Sequence, residues 1–207
     1  MAKQSADRDN ASTGQVRPGP RLALTRSGPS GPVLDFARHD DRHQHALRVA
    51  HPDRPVCLLE SAETAAVPPA SPPLQQLDRQ AAGVAPVVFG VGQAGRHYWS
   101  ATFEVGEPDR LSIHVACRSP EPLDWLGSTY RWHDCCQARS AGDCLVSLYH
   151  PDGIVRLESS GDCRVRIDPH SRELRIEPCA GQPDLWPATV QWQYSLDLSG
   201  WKAGGQD

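Results

Sequence analysis

The chain has 207 residues, a formal net charge of −4 and 39% hydrophobic residues. That is enough for one domain with a core, and it supplies no overall positive charge to draw in nucleic acid or an anionic membrane. Only two of the 21 basic residues are Lys, Lys3 and Lys202, so a phosphate-binding, Schiff-base or catalytic Lys is excluded from the body of the chain.

The N-terminal MAKQSADRDNASTGQ is polar, without the apolar run of a signal peptide. No stretch of about 18 apolar residues follows, so no helix is expected to span a membrane. A cytoplasmic location is the expectation, with the seven cysteines mostly reduced and no membrane partner. Residues 1–32, rich in Ser, Gly, Pro and Arg, read as a disordered tail. Residues 33–202 read as a single antiparallel β domain, and 203–207 as a disordered end.

PVLDFAR, ALRVA and PVCLLES read as three short strands. Between the first two lies ARHDDRHQHALRV, with His39, Asp40, Asp41, His43 and His45. His-x-His on a strand sets both imidazoles on one side, which suits a metal. A solvated polar turn explains the same residues and is the preferred reading. SAETAAVPPASPP (61–73) reads as a crossing within the domain, and PLQQLDRQAA as a helical turn or two.

VVFGVGQAGRHYW contains Gly90-x-Gly92-x-x-Gly95, the spacing of phosphate-cradling loops. A dinucleotide site needs a helix directly after the glycines. Here HYWSATFEV follows, alternating as a strand does. A kinase loop needs a Lys on a following strand, and LSIHVACRS has none. The glycines therefore read as tight or positive-φ positions in a connection, and no nucleotide is expected.

HYWSATFEV and RLSIHVACR form a hairpin in one register: Phe103 opposite Ile113, Val105 opposite Leu111, Ala101 opposite Val115 and Trp99 opposite Cys117. In CLVSLYHPDGIVRLE the HPDG turn sets Leu148 against Val155 and Val146 against Leu157. CRVRIDPHSRELRIEPC allows two registers. The one pairing Arg166 with Glu177 and Asp168 with Arg175 is preferred, because the other sets Arg166 against Arg175. In TVQWQYSLDL, Val190, Trp192, Tyr194, Leu196 and Leu198 share one face.

TYRWHDCCQARSAGDC brings His133, Cys135, Cys136 and Cys144 close in sequence. These residue types ligate zinc, although adjacent cysteines are not the usual knuckle. Trp99 and Trp192 read as core; Trp125, Trp132, Trp186 and Trp201 read as loop or terminal residues open to a ligand. On the polar side of the first hairpin, His114 and Arg118 form part of a wet sheet face or a groove floor.

GQAGRHYWSATFEV, LSIHVACRS and LGSTYRW, with LLESAE and PPASPPLQQL upstream, resemble a pattern in uncharacterised proteins of planctomycete-type bacteria. The resemblance covers residues 33 to 200 and implies a bacterial source, with no activity, cofactor or site residue attached.

The expected fold is all-β, an antiparallel sandwich or barrel of nine or ten short strands with little or no helix. The expected function is a non-catalytic binding or interaction module for an unknown protein or small molecule, without a cofactor, using Trp125, Trp132, His133, His114 and Arg118. One alternative is a metal-dependent enzyme of β-barrel type, hydrolytic or oxygen-using, drawing on His39, His43, His45, His114 or His133 with Asp40 or Glu104. Another is a structural zinc protein built on His133, Cys135, Cys136 and Cys144.

Overall fold

A computed structural model describes residues 17–24, 32–50, 55–64, 66–82, 85–107, 109–179 and 183–201. Among them are fifteen strands and no helix. They are β1 (Arg17–Ala23), β2 (Val33–His39), β3 (Arg42–Val49), β4 (Val56–Ser61), β5 (Gln76–Ala82), β6 (Ala85–Ala94), β7 (His97–Glu107) and β8 (Arg110–Ser119). There follow β9 (Ser128–Trp132), β10 (Gln137–Ser140), β11 (Leu145–His150), β12 (Gly153–Ser159), β13 (Cys163–Asp168), β14 (Glu173–Pro178) and β15 (Ala188–Trp201).

They form two antiparallel sheets, ordered β1-β2-β3-β4-β9-β14-β13 and β10-β11-β12-β15-β8-β7-β6-β5. The sheets do not close into a barrel; the architecture is that of a sandwich. Alternation along the strands puts one face of each sheet inside. The seven-stranded sheet contributes Leu34, Phe36, Leu47, Leu59, Tyr130, Leu174 and Ile176, and the eight-stranded sheet Trp99, Phe103, Ile113, Val155, Leu157, Trp192 and Leu196. The layers meet edge-on where Phe36 packs against Phe103, ring centroids 5.0 Å apart.

The first two expected hairpins form in the expected registers. Trp99, Ala101 and Phe103 face Cys117, Val115 and Ile113, and Leu148 and Val146 face Val155 and Leu157. Val105 and Leu111 do not pair, because an irregularity between Glu104 and Glu107 shifts the ladder. The third hairpin takes the other register, with Arg166 opposite Arg175, Ile167 opposite Leu174 and Arg164 opposite Glu177. That register keeps Leu174 in the strand, where it is fully buried, while both arginines are exposed and their repulsion is screened by solvent. Arg175 instead meets Glu173 at 3.0 Å. Burying a Leu outweighs a screened like-charge pair.

Other expectations need correction. PLQQLDRQAA contributes strand β5, not a helical turn. The segment expected as a tail includes β1 within its last half; residues 1–16 and 25–31 lie outside the described residues, as do 202–207. Trp132 is not in a loop: it ends β9 and is buried. Trp201 lies at the end of β15, stacked on His150.

The glycine motif has a packing explanation. Gly90 and Gly92 lie inside β6, paired with Ala101 and Trp99. A Cβ on Gly92 would fall 1.7 Å from the Pro73 carbonyl oxygen, so the chain at 73–75 rests directly on the strand backbone. Gln75 N–H donates to the Val91 carbonyl there, at 2.8 Å. Gly95, at φ 59°, opens the two-residue turn into β7.

Candidate functional site

The outer face of the seven-stranded sheet carries a pocket of about 580 Å³. Its floor follows from register. Glu60 on β4 lies opposite Arg131 on β9, which lies opposite Glu173 on β14. This row of alternating charge pairs internally, with Glu173 3.5 Å from Arg131 and 3.0 Å from Arg175. The wall is the crossing after β4, including Ala62, Glu63, Thr64 and Pro68. Ser71 clamps this crossing onto β9: its hydroxyl donates to the Thr129 carbonyl at 2.6 Å and accepts from Thr129 N–H at 3.1 Å.

Trp125, half-buried, closes one side of the pocket. Gly127 makes room for it, since a Cβ there would sit 2.9 Å from the indole ring. Glu63 reaches in from the wall. The Ser61 hydroxyl donates to its Oε1 at 2.9 Å, and its Oε2 is buried without a partner. Burial disfavours the carboxylate and pushes the Glu63 pKa up to about 7, against weaker lowering influences from the Ser61 hydrogen bond and the charge of Arg42. Near neutral pH this carboxyl is therefore part protonated, able to donate a hydrogen bond as well as accept one.

Behind the pocket a polar chain crosses the core. His45 Nε2 lies 2.8 Å from the Tyr130 hydroxyl, which lies 2.6 Å from the Tyr194 hydroxyl of the opposite sheet. The Ser61 hydroxyl links chain and pocket, accepting from His45 N–H at 3.1 Å. Burial pulls the His45 pKa down to about 3 and raises both phenols. His45 is thus a neutral core imidazole with aromatic neighbours Phe36, Phe103 and Tyr130.

A second cluster adjoins the pocket through Glu60. Ligand-type atoms of Cys57, Glu60 and His133 all lie within 4.8 Å of one another. Residues 57 and 60 would point to opposite faces of a regular strand. They share one here because β4 carries a bulge: Leu59 pairs with Leu47 and Cys57 with Arg48, leaving Leu58 extra. Leu58 and Leu59 both enter the core. The Leu58 carbonyl in turn accepts from His133 N–H at 3.2 Å and holds the histidine over the strand.

The residues singled out from sequence are dispersed. Trp125 lines the pocket, His133 belongs to the adjoining cluster and Trp132 is core. His114 and Arg118 project from β8 on the outer face of the other sheet, where Arg118 lines a shallow groove with Tyr98 and Arg96. His39 is exposed at the end of β2 and lines the pocket, His43 is half-buried beside Arg38, and His45 is core, so the three do not converge as metal ligands. Cys135 and Cys136 have sulfurs 3.8 Å apart, with Cys136 packed into the core. Cys144 is exposed at the start of β11, away from His133. Sequence reasoning missed Glu60, Glu63, Arg131 and Glu173, whose convergence depends on pairing between distant strands. For Cys57 and Glu60 one signal was present: consecutive leucines in VCLLES break the alternation, as a bulge does.

Among the described residues no helix is long and apolar enough to cross a membrane. Compared with known proteins, the chain matches no protein family, no curated protein and no solved structure.

Proposed function

We propose that the chain is a non-catalytic binding module that takes a small, uncharged, hydrogen-bonding ligand in the pocket beneath the crossing after β4. One observation carries this reading. On the pocket floor Glu173 pairs with Arg131 across the strands and with Arg175 along its own, while Trp125 and Glu63, whose buried Oε2 has no partner, line the same pocket. An indole face and a carboxyl that both donates and accepts suit a ligand with one flat apolar side and several hydroxyl or amide groups. A charged ligand would have to break the Arg131–Glu173–Arg175 pairing to find a partner. His114 and Arg118, on the opposite side of the sandwich, are not assigned to this pocket.

The test is a ligand-observed NMR screen of neutral sugars, polyols and small amides, together with small carboxylates, phosphates and amines, against the whole chain. Binders are expected, and Trp125→Ala is expected to abolish their signal while the β-sheet circular dichroism is retained. Binders that persist in both Trp125→Ala and Glu63→Gln would move the ligand away from this pocket. A screen that yields only anionic or cationic binders would overturn the ligand class.

A further inference from the structure

We propose that Cys57, Glu60 and His133 form a binding site for a zinc-like divalent transition metal, with three protein ligands and a fourth position open to solvent. The inference is independent of the ligand proposed for the neighbouring pocket.

The donor set selects the metal class. A thiol, an imidazole and a carboxylate together suit zinc, which takes sulfur, nitrogen and oxygen without geometric preference from d-electrons. Magnesium and calcium prefer oxygen donors alone. The spacing also fits. Tetrahedral zinc with its usual bond lengths holds neighbouring donors roughly 3.3–3.6 Å apart. His133 Nε2 and Glu60 Oε1 are 3.6 Å apart, and all three donors fall within 4.8 Å. Only a small rotation of the Cys57 or Glu60 side chain is needed to close the set.

The surroundings support a ligand role for each residue. His133 Nε2 is shielded from solvent and has no hydrogen-bond partner within reach. The backbone already fixes the histidine: its N–H donates to the Leu58 carbonyl, and its carbonyl accepts from Cys136 N–H at 2.9 Å. The bulge that places Cys57 beside Glu60 is backbone geometry, present before any metal arrives. The His133 and Glu60 side chains are 41% and 24% exposed, so the cluster lies near the surface, where solvent can supply the fourth ligand. Cys135 stands nearby with its thiol turned to the Cys57 carbonyl at 3.6 Å, and it is outside the ligand set.

On binding, the divalent ion replaces the Cys57 thiol proton, which passes to solvent, while His133 binds neutral and Glu60 as the carboxylate.

The test uses the whole chain, stripped of metal with a chelator, kept reduced with a phosphine and titrated with cobalt(II) under nitrogen. One equivalent is expected to give the visible bands of tetrahedral cobalt and a thiolate-to-cobalt charge-transfer band, both displaced by zinc. Cys57→Ser should remove the charge-transfer band. Glu60→Gln and His133→Ala should each weaken cobalt binding by about tenfold or more, while Cys135→Ser and Cys144→Ser leave it intact. Because Cys57→Ser lies in a strand, each variant is checked by circular dichroism; should it unfold, the partly exposed His133→Ala decides. No stoichiometric cobalt bands, or bands that survive His133→Ala and vanish in Cys135→Ser, would overturn the proposal.

Discussion

Glu63 and His45 are joined through one hydroxyl, Ser61 Oγ, and burial disfavours the charged form of both. The consequences for stability run in opposite directions. Glu63 has a pKa raised from 4.5 to about 7, so between those values the folded chain holds a proton that the unfolded chain has released. Its contribution is most favourable below pH 4.5 and is lost as pH rises through 7. Glu63→Gln should therefore stabilise the protein at pH 8 by on the order of 2–4 kcal/mol and change little at pH 4, measured by urea unfolding at both. For His45 the pKa falls from 6.5 to about 3, and the unfolded chain takes up the proton first. Its contribution is complete above pH 6.5 and is lost as pH falls toward 3. His45→Phe should flatten this acid limb, at a cost of about 1 kcal/mol near neutrality for the lost bond to Tyr130; urea midpoints at pH 4 and pH 7 check both. Sequence alone marked His45 as a ligand candidate because His-x-His suits a metal. What it did not show is which layer the strand covers, and that decides whether an imidazole meets an ion or an aromatic core.

Gly92 and the bulge at Leu58 show how one position governs a strand. Gly92→Ala would place a methyl group where the Pro73 carbonyl stands. Both neighbours are backbone, so neither yields cheaply. The expected loss is several kcal/mol, on the order of 3 or more, read from thermal unfolding, whereas Gly95→Ala should cost about 1 kcal/mol through its positive φ alone. Deleting Leu58 would remove the bulge but leave Cys57 and Glu60 two positions apart, still on one face of a regular strand. Cobalt binding should therefore survive the deletion, while stability falls with the loss of a fully buried leucine. Hairpins were legible where a tight turn and two alternating runs sit side by side, as at Leu148 and Val155. The third hairpin departs from the expected register because burial of Leu174 outweighs charge pairing at its exposed positions. Strands β9 and β10 were not legible, since each is short and β9 pairs with no sequence neighbour.

The sandwich assembles from pairings far apart in the chain. β9 lies between β4 and β14, and β15 between β12 and β8. An all-β class followed from alternation and turns, but the pocket did not, because its floor draws Glu60, Arg131 and Glu173 from three strands that share no local signal. The hydrogen-bonded chain from His45 through Tyr130 to Tyr194 ties the two layers together. A double-mutant cycle between His45→Phe and Tyr194→Phe should report a coupling of about 0.5–3 kcal/mol, although the two side chains touch only through Tyr130. Additive losses in that cycle would mean that the layers are held by packing alone.

The position of β15 also bears on how the chain is made. It is the last of the fifteen strands in sequence, yet it fills the middle of the eight-stranded sheet. During synthesis β8 and β12 emerge long before it and wait with open edges and bare apolar faces. Until residues 188–201 clear the ribosome, the nascent chain offers two unpaired strands to any neighbour. A nascent polypeptide stalled just short of Ala188 should therefore be sticky and rich in bound chaperone, and the released chain, with β15 seated between β12 and β8, should not be.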